Sequence, residues 1–191
     1  LKEEKMRLRR AIRRKLLQMD ERTYLQKSAQ IREFLFSTED WIRAETIGVT
    51  VSIFPEVDTR EIIRKGWAEG KRMAVPKCFP EKRMMRYYII HDFHDLKRGY
   101  SNLWEPDPES SREVGKGEIS LLIIPGVVFS RNGHRIGYGG GYFDRFLADF
   151  PGKTVALAFE EQIVDEVPAE SHDRKVALIV SEKGFISAND H

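Results

Sequence analysis

The chain has 191 residues, of which 41% are apolar and 32% charged, and its 32 Lys and Arg against 30 Asp and Glu leave a net charge of only +2. That length suits one domain with a core of its own; the apolar content excludes a disordered chain, and the near-neutral balance excludes a globally basic nucleic-acid binder. No run of 18 apolar residues occurs, the charged start LKEEKMRLRRAIRRK has no apolar stretch, and Cys78 is the single cysteine, so the expectation is a cytoplasmic protein with no membrane segment, secretory signal or zinc framework.

In chain order, Leu8, Ile12 and Leu16 recur every four residues, with Leu17 widening the stripe, and predict an amphipathic helix crowded by Arg7, Arg9, Arg10, Arg13, Arg14 and Lys15. Such a run is first a solvated face, offset here by Glu3 and Glu4. Tyr24, Ser28, Ile31 and Leu35 predict a second helix, started by Asp20 or Thr23. The β-branched run 46–54 reads as a buried strand stopped by Pro55. Asp58 and Glu61 then resemble a capping box for a helix through Ile62, Ile63 and Trp67 that ends at Gly70. Short strands are expected over 73–75 and 85–90. The Gly-, Pro- and Ser-rich interval 99–118 reads as a long surface loop. His91 and His94 read as part of a solvated loop, and Cys78, with no base beside it, as inert. The continuous apolar run 119–124 is the clearest buried strand and implies helices on both faces of its sheet. A short helix over 141–150 and strands over 154–159 and 176–180 complete an α/β alternation with a largely parallel sheet.

One segment carries chemistry. Residues 130–145, SRNGHRIGYGGGYFDR, hold Gly133, Gly137, Gly139, Gly140 and Gly141 between the strongest strand and a helix. Glycines allow close backbone approach, and successive free N–H groups followed by a helix N-terminus cradle an anion. Arg131, His134 and Arg135 add donors at its entrance. The segment is not a Walker loop, because Tyr142 and Phe143 follow Gly141 where Lys and Ser/Thr are needed, and Tyr142 also breaks the dinucleotide fingerprint. A plain surface turn accounts for one or two glycines, not for five beside arginines and aromatics. Asp144, one turn into the helix, reads either as a Mg²⁺ ligand beside bound phosphates or as a partner of the helix dipole.

The segment GHRIGYGGGYFDRFL resembles the signature of the 5-formyltetrahydrofolate cyclo-ligase family. Further pieces follow in the family's order over the whole chain: Lys5-Met6-Arg7-Leu8-Arg9 for the basic K-x-x-L-R start, Phe54 to Thr59 for FPEVDT, Met85-Arg86-Tyr87-Tyr88 for the M-x-F-Y strand, Leu103 to Pro106 for the x-EP segment, and Gln162 with His172-Asp173 near the end. The resemblance implies a single α/β domain over residues 1–191, of the type shared with ribose-5-phosphate isomerase A and CoA transferases. It implies ATP, Mg²⁺ and 5-formyltetrahydrofolate as ligands, and a monomer without nucleic-acid or membrane partners is expected. The implied reaction starts with attack of the formyl oxygen on the γ-phosphate; N10 then closes the ring on the N5-iminium phosphate, yielding 5,10-methenyltetrahydrofolate, ADP and phosphate.

Carried over motif by motif, Arg135, Ile136, Gly137, Tyr138, Gly139, Gly140 and Gly141 would wrap the ATP phosphates, with Arg135 stabilising charge and Lys5 and Arg9 adding cationic contacts. Asp144 and Asp173 would hold Mg²⁺. Glu56 would accept from the pterin N–H groups, while Phe54, Met85, Tyr87, Trp104 and Tyr142 would supply apolar walls. Gly140 stands where some members carry Lys, Phe143 where Tyr is common, and Trp104 where many have Tyr or a small residue. Two other readings stay open at this point: a sugar-phosphate isomerase or acyl transferase on the same scaffold, and a folate- or nucleotide-binding module without turnover.

Overall fold

The computed structural model describes residues 1–170 and 173–188. Helix α1 (Lys2–Leu17) buries Ile12 and Leu16 and carries Glu3 and Glu4 in its first turn and Arg14 and Lys15 in its last, each complementing the helix dipole. Helix α2 (Glu21–Phe36) starts at Asp20, whose carboxylate accepts from the Thr23 N–H at 2.8 Å; that bond lowers the Asp20 pKa and settles which residue is the cap. A short helix α3 (Glu39–Arg43), not foreseen, is capped by Thr38 and drives Trp41 into the core.

Strand β1 keeps ladder geometry only over Thr46–Gly48, although the apolar run continues to residue 54. The chain leaves the sheet because residues 50–59 form a closed loop. Ser52 N–H donates to Thr59 Oγ1 at 2.8 Å, Thr59 N–H returns to Ser52 Oγ at 2.9 Å, and Thr59 Oγ1 donates to the Thr50 carbonyl at 2.7 Å. Helix α4 (Arg60–Ala68) therefore starts at Thr59, not at Asp58. Strand β2 (Arg72–Phe79) runs longer than 73–75 and forms a hairpin with β3 (Met84–Ile90). Its pairing with β1 ends at Ala74, so Pro76 lies where β2 has no partner on that side and its missing N–H breaks no ladder bond.

The interval 99–118 is not the open loop expected. Trp104–Pro106 (β5) pairs with Leu96–Arg98 (β4), and Glu113–Val114 (β6) adds to β3. Glu105, only 3% exposed, pins this region to β2 by accepting from Cys78 N–H at 2.9 Å, Lys77 Nζ at 3.2 Å and Tyr100 N–H at 3.3 Å. Beyond it lie β7 (Leu121–Ile124), β8 (Val128–Ser130), β9 (Arg135–Ile136), α5 (Tyr142–Leu147), β10 (Lys153–Leu157), β11 (Ile163–Val164), β12 (Leu178–Ser181) and β13 (Gly184–Ser187).

The main sheet has the order β13-β12-β10-β7-β1-β2-β3-β6, with the five strands from β12 to β2 parallel and the edges antiparallel. A small sheet β11-β8-β9 stands beside it. Alternate strand residues divide the interior. Met73, Leu121, Ile123 and Val155 pack with α1, α2 and α4, whereas Ala74, Leu122, Ile124 and Ala156 pack with Phe146 and Leu147 of α5. Both faces of the parallel strands are thus covered, as the run 119–124 predicts.

Candidate active site

From β1 the chain builds outward through β2 and β3 on one side, and through β7, β10 and β12 on the other. The topological switch therefore falls between β1 and β7, and in open α/β sheets ligands bind beyond the carboxyl ends of the strands at that point. A cleft lies there, lined by Thr50, Ser52 and Glu56 after β1, Pro125 and Gly126 after β7, and Gln162 after β10. Gln162 fixes its floor: the buried amide donates to the Gly126 and Val127 carbonyls at 3.2 and 3.1 Å and accepts from Phe159 N–H at 2.9 Å.

The glycine loop joins β9 to α5. Gly139 and Gly141 adopt φ of +100° and +72°, conformations that favour glycine. Among the described residues, none accepts a hydrogen bond from the backbone N–H groups of residues 137–141, which leaves five donors for an anion. Helix α5 has six residues, so these donors outweigh its dipole. Arginines hold the loop at both ends. Arg9 Nε donates to the Gly137 carbonyl at 2.6 Å, and Arg145 Nη2 to that of Gly140 at 2.9 Å. Lys5 lies half-buried one turn before Arg9 on α1. Ile136 is buried, and its carbonyl accepts from Val127 N–H.

The Arg135 side chain is 6% exposed. Its Nη1 donates to the Pro125 carbonyl at 3.2 Å, its Nη2 lies 3.8 Å from Asp144 Oδ1, and its Nε has no hydrogen-bond partner among the described residues. Burial lowers the Arg135 pKa, opposed by the charges of Asp144 and Asp173. A Cβ at Gly137 would lie 2.6 Å from Nη1, so only glycine there leaves the guanidinium its place.

Glu56 sits across the cleft. Its Oε1 accepts from Ile53 N–H at 2.6 Å, its Oε2 from the Tyr138 hydroxyl, and its carbonyl from the Tyr24 hydroxyl at 2.6 Å. Burial raises the Glu56 carboxyl pKa, with the Tyr138 and Ile53 hydrogen bonds and the charge of Arg13 pulling the other way. Arg13, the Tyr138 hydroxyl and Tyr24 are site features that sequence reasoning did not assign.

The expected aromatic walls do not form one surface. Phe54 is exposed and packs edge-on to Tyr24 at 5.0 Å, and Trp104 borders the core shared with α4, its ring under Arg98. Met85 and Tyr87 are buried in the opposite core, where Tyr87 is 1% exposed and its hydroxyl has no hydrogen-bond partner among the described residues. Tyr142 borders that same core and meets Tyr100 at 5.3 Å. Asp144 is part-exposed beside Arg135, and Asp173 Oδ2 accepts from Glu170 N–H; His172 lies outside the described residues. Among the described residues no three His, Cys, Asp or Glu side chains converge on a metal position. His91 and His94 are exposed, while Cys78 is buried and its thiol pushed up to about 11, chiefly by burial and then by Glu105.

The sequence pattern of the 5-formyltetrahydrofolate cyclo-ligase family matches residues 1–182. The chain belongs to that family. Among relatives of this cyclo-ligase-family chain, the mouse 5-formyltetrahydrofolate cyclo-ligase is 26% identical over 186 residues, covering 92% of each chain. The Escherichia coli protein of the same name is 28% identical over 144 residues, covering 73% of this chain and 79% of its own. The fold matches the solution structure of Aquifex aeolicus 5,10-methenyltetrahydrofolate synthetase with a TM-score of 0.85 at 25% identity, covering 98% of this chain and 94% of that one. It also matches the Mycoplasma pneumoniae synthetase structure, with a TM-score of 0.73 at 18% identity, over 93% of this chain and 98% of that one. This cyclo-ligase-family chain thus has the α/β fold that its sequence resemblance implies.

Proposed function

We propose that the protein converts 5-formyltetrahydrofolate and ATP into 5,10-methenyltetrahydrofolate, ADP and phosphate. One arrangement carries this reading within the family: the backbone N–H groups of residues 137–141 bond to no described residue, Tyr138 of that loop reaches Glu56 in the cleft, and the buried Arg135 donates to the cleft-lining Pro125 carbonyl. Phosphoryl transfer needs positioning and charge neutralisation, and this chain offers both without a nucleophile of its own. The N–H groups of residues 137–141 hold phosphate oxygens, joined by Arg9 and Lys5 from α1. Arg135 meets the charge that develops as the formyl oxygen takes the γ-phosphoryl group. Its fixed, water-poor setting needs little reorganisation for that role. Glu56 holds the pterin by its N–H groups, so that N10 closes on the activated carbon and phosphate leaves. Phe54, exposed on the Glu56 loop, offers an apolar edge to the folate, whereas Trp104 on one side of the sheet and Met85, Tyr87 and Tyr142 on the other are divided between the two cores.

Asp144 and Asp173 would hold a Mg²⁺ ion: carboxylates are hard oxygen donors, and Asp144, part-exposed 3.8 Å from Arg135, suits a cation that keeps waters and takes substrate phosphates as its other ligands. Such an ion would supply neutralisation of phosphate charge. The free, buried thiol of Cys78 fits a reducing, cytoplasmic location.

The test is to mix the purified protein with 5-formyltetrahydrofolate and Mg-ATP and follow the longer-wavelength absorbance of the conjugated methenyl product. A rise that needs ATP, with ADP released in equal amount, is expected. Ligand binding with no ADP release would indicate a binding module, and turnover of a sugar phosphate without ATP would indicate an isomerase on this scaffold.

A further inference from the structure

The two substrate loops meet in a contact that the reaction does not use. Tyr138 stands between Gly137, whose carbonyl Arg9 holds, and Gly139, whose φ is +100°. The residue is 57% exposed, yet its hydroxyl donates to Glu56 Oε2, joining positions 82 residues apart. The other oxygen of Glu56 is taken by Ile53 N–H, within a loop closed by the Ser52–Thr59 bonds. Glu56 therefore has both oxygens engaged inside the chain. A ligand presenting two N–H donors to this carboxylate must displace one partner. The Ile53 amide is fixed by its loop, whereas Tyr138 sits on a segment whose own N–H groups bond to no described residue.

We propose that Tyr138 is a positioning residue coupling the two substrate sites: without folate its hydroxyl occupies Glu56 Oε2 and restrains the glycine loop, and folate binding releases both. This rests on the assignment of Glu56 to the pterin. The phenol competes with folate for one carboxylate oxygen. Once displaced, it frees residues 137–141 to settle on nucleotide phosphates, so each substrate tightens the other by the same factor.

Tyr138→Phe removes one oxygen from an exposed side chain and leaves the packing intact. Calorimetric titration with 5-formyltetrahydrofolate, alone and with a non-hydrolysable ATP analogue, tests the idea on the whole chain. Tyr138→Phe is expected to bind folate alone about five-fold tighter than the wild type, because a competing charge-assisted hydrogen bond is gone. The factor by which folate tightens the ATP analogue is expected to fall towards one. Folate affinity unchanged or weakened in Tyr138→Phe, or an undiminished coupling factor, overturns the proposal. Glu56→Gln separates the two assignments. Weaker folate binding in Glu56→Gln keeps the pterin role whatever Tyr138→Phe does; unchanged binding removes that role, and the coupling with it.

Discussion

Glu56 meets two demands that oppose each other. In the proposed reaction its carboxylate accepts from two N–H groups of the pterin, which favours the ionised form, yet its place in the cleft disfavours charge and raises its pKa. A carboxyl whose pKa is higher folded than unfolded contributes stability that is full below the unfolded value and lost as pH rises through the folded one. Ionisation of Glu56 therefore works against the fold. Glu56→Gln is expected to raise the melting temperature at pH 7, with the gain shrinking as pH falls through the carboxylate range, and to raise the KM for folate about ten-fold or more while sparing that for ATP. A scanning-calorimetry pH series and steady-state kinetics check the two halves. Asp144 carries a different prediction. It is part-exposed and packs no core, so Asp144→Ala should keep the circular dichroism spectrum, lower kcat by at least about a hundredfold, and move the Mg²⁺ dependence to higher concentration. A variant with an unchanged Mg²⁺ profile would leave Asp144 as a partner of Arg135 alone.

At the scale of elements, the β4–β5 hairpin depends on one buried carboxylate. Glu105→Ala leaves the Cys78 and Tyr100 amides and Lys77 without their acceptor, and removing one member of a buried pair is strongly destabilising. A loss of about 3 kcal/mol in urea unfolding is expected, with faster proteolysis within residues 99–112. Helices α1 and α2 and strand β7 were legible because a stripe at every fourth residue, a side-chain cap and an apolar run are local signals. Strands β4, β5, β6, β8, β9, β11 and β13 have two to four residues each, too few for alternation to stand out; pairing defines them, with a nearby strand for β4, β5, β8, β9 and β13 and with a distant one for β6 and β11. The site divides in the same way. The glycine run and the FPEVDT segment show in the sequence, but the Tyr138–Glu56 contact spans 82 residues and the Arg9–Gly137 contact 128, so no spacing announces either.

At the scale of the molecule, rigidity and freedom occupy different places. Strands β1, β7 and β10 are flanked on both edges and covered on both faces, while residues 137–141 make few backbone bonds. Hydrogen exchange should be slowest in those central strands and fast in the glycine loop, and adding nucleotide should slow the loop selectively. Uniform exchange across loop and sheet would contradict this division.

The position of β1 also has a consequence for biosynthesis. One of its edges is taken by β2, some 25 residues further on, but the other waits for β7, about seventy residues after β1 itself. At a translation rate of about 5–20 residues per second, that edge stays open for several seconds on a nascent chain. Through that interval Ile47 and its neighbours form a half-built apolar ledge beside the ribosome, in competition with every other unpaired strand nearby. The glycine loop and the first helix, joined through Arg9, come together later still, so this side of the cleft is among the last parts of the newborn protein to mature.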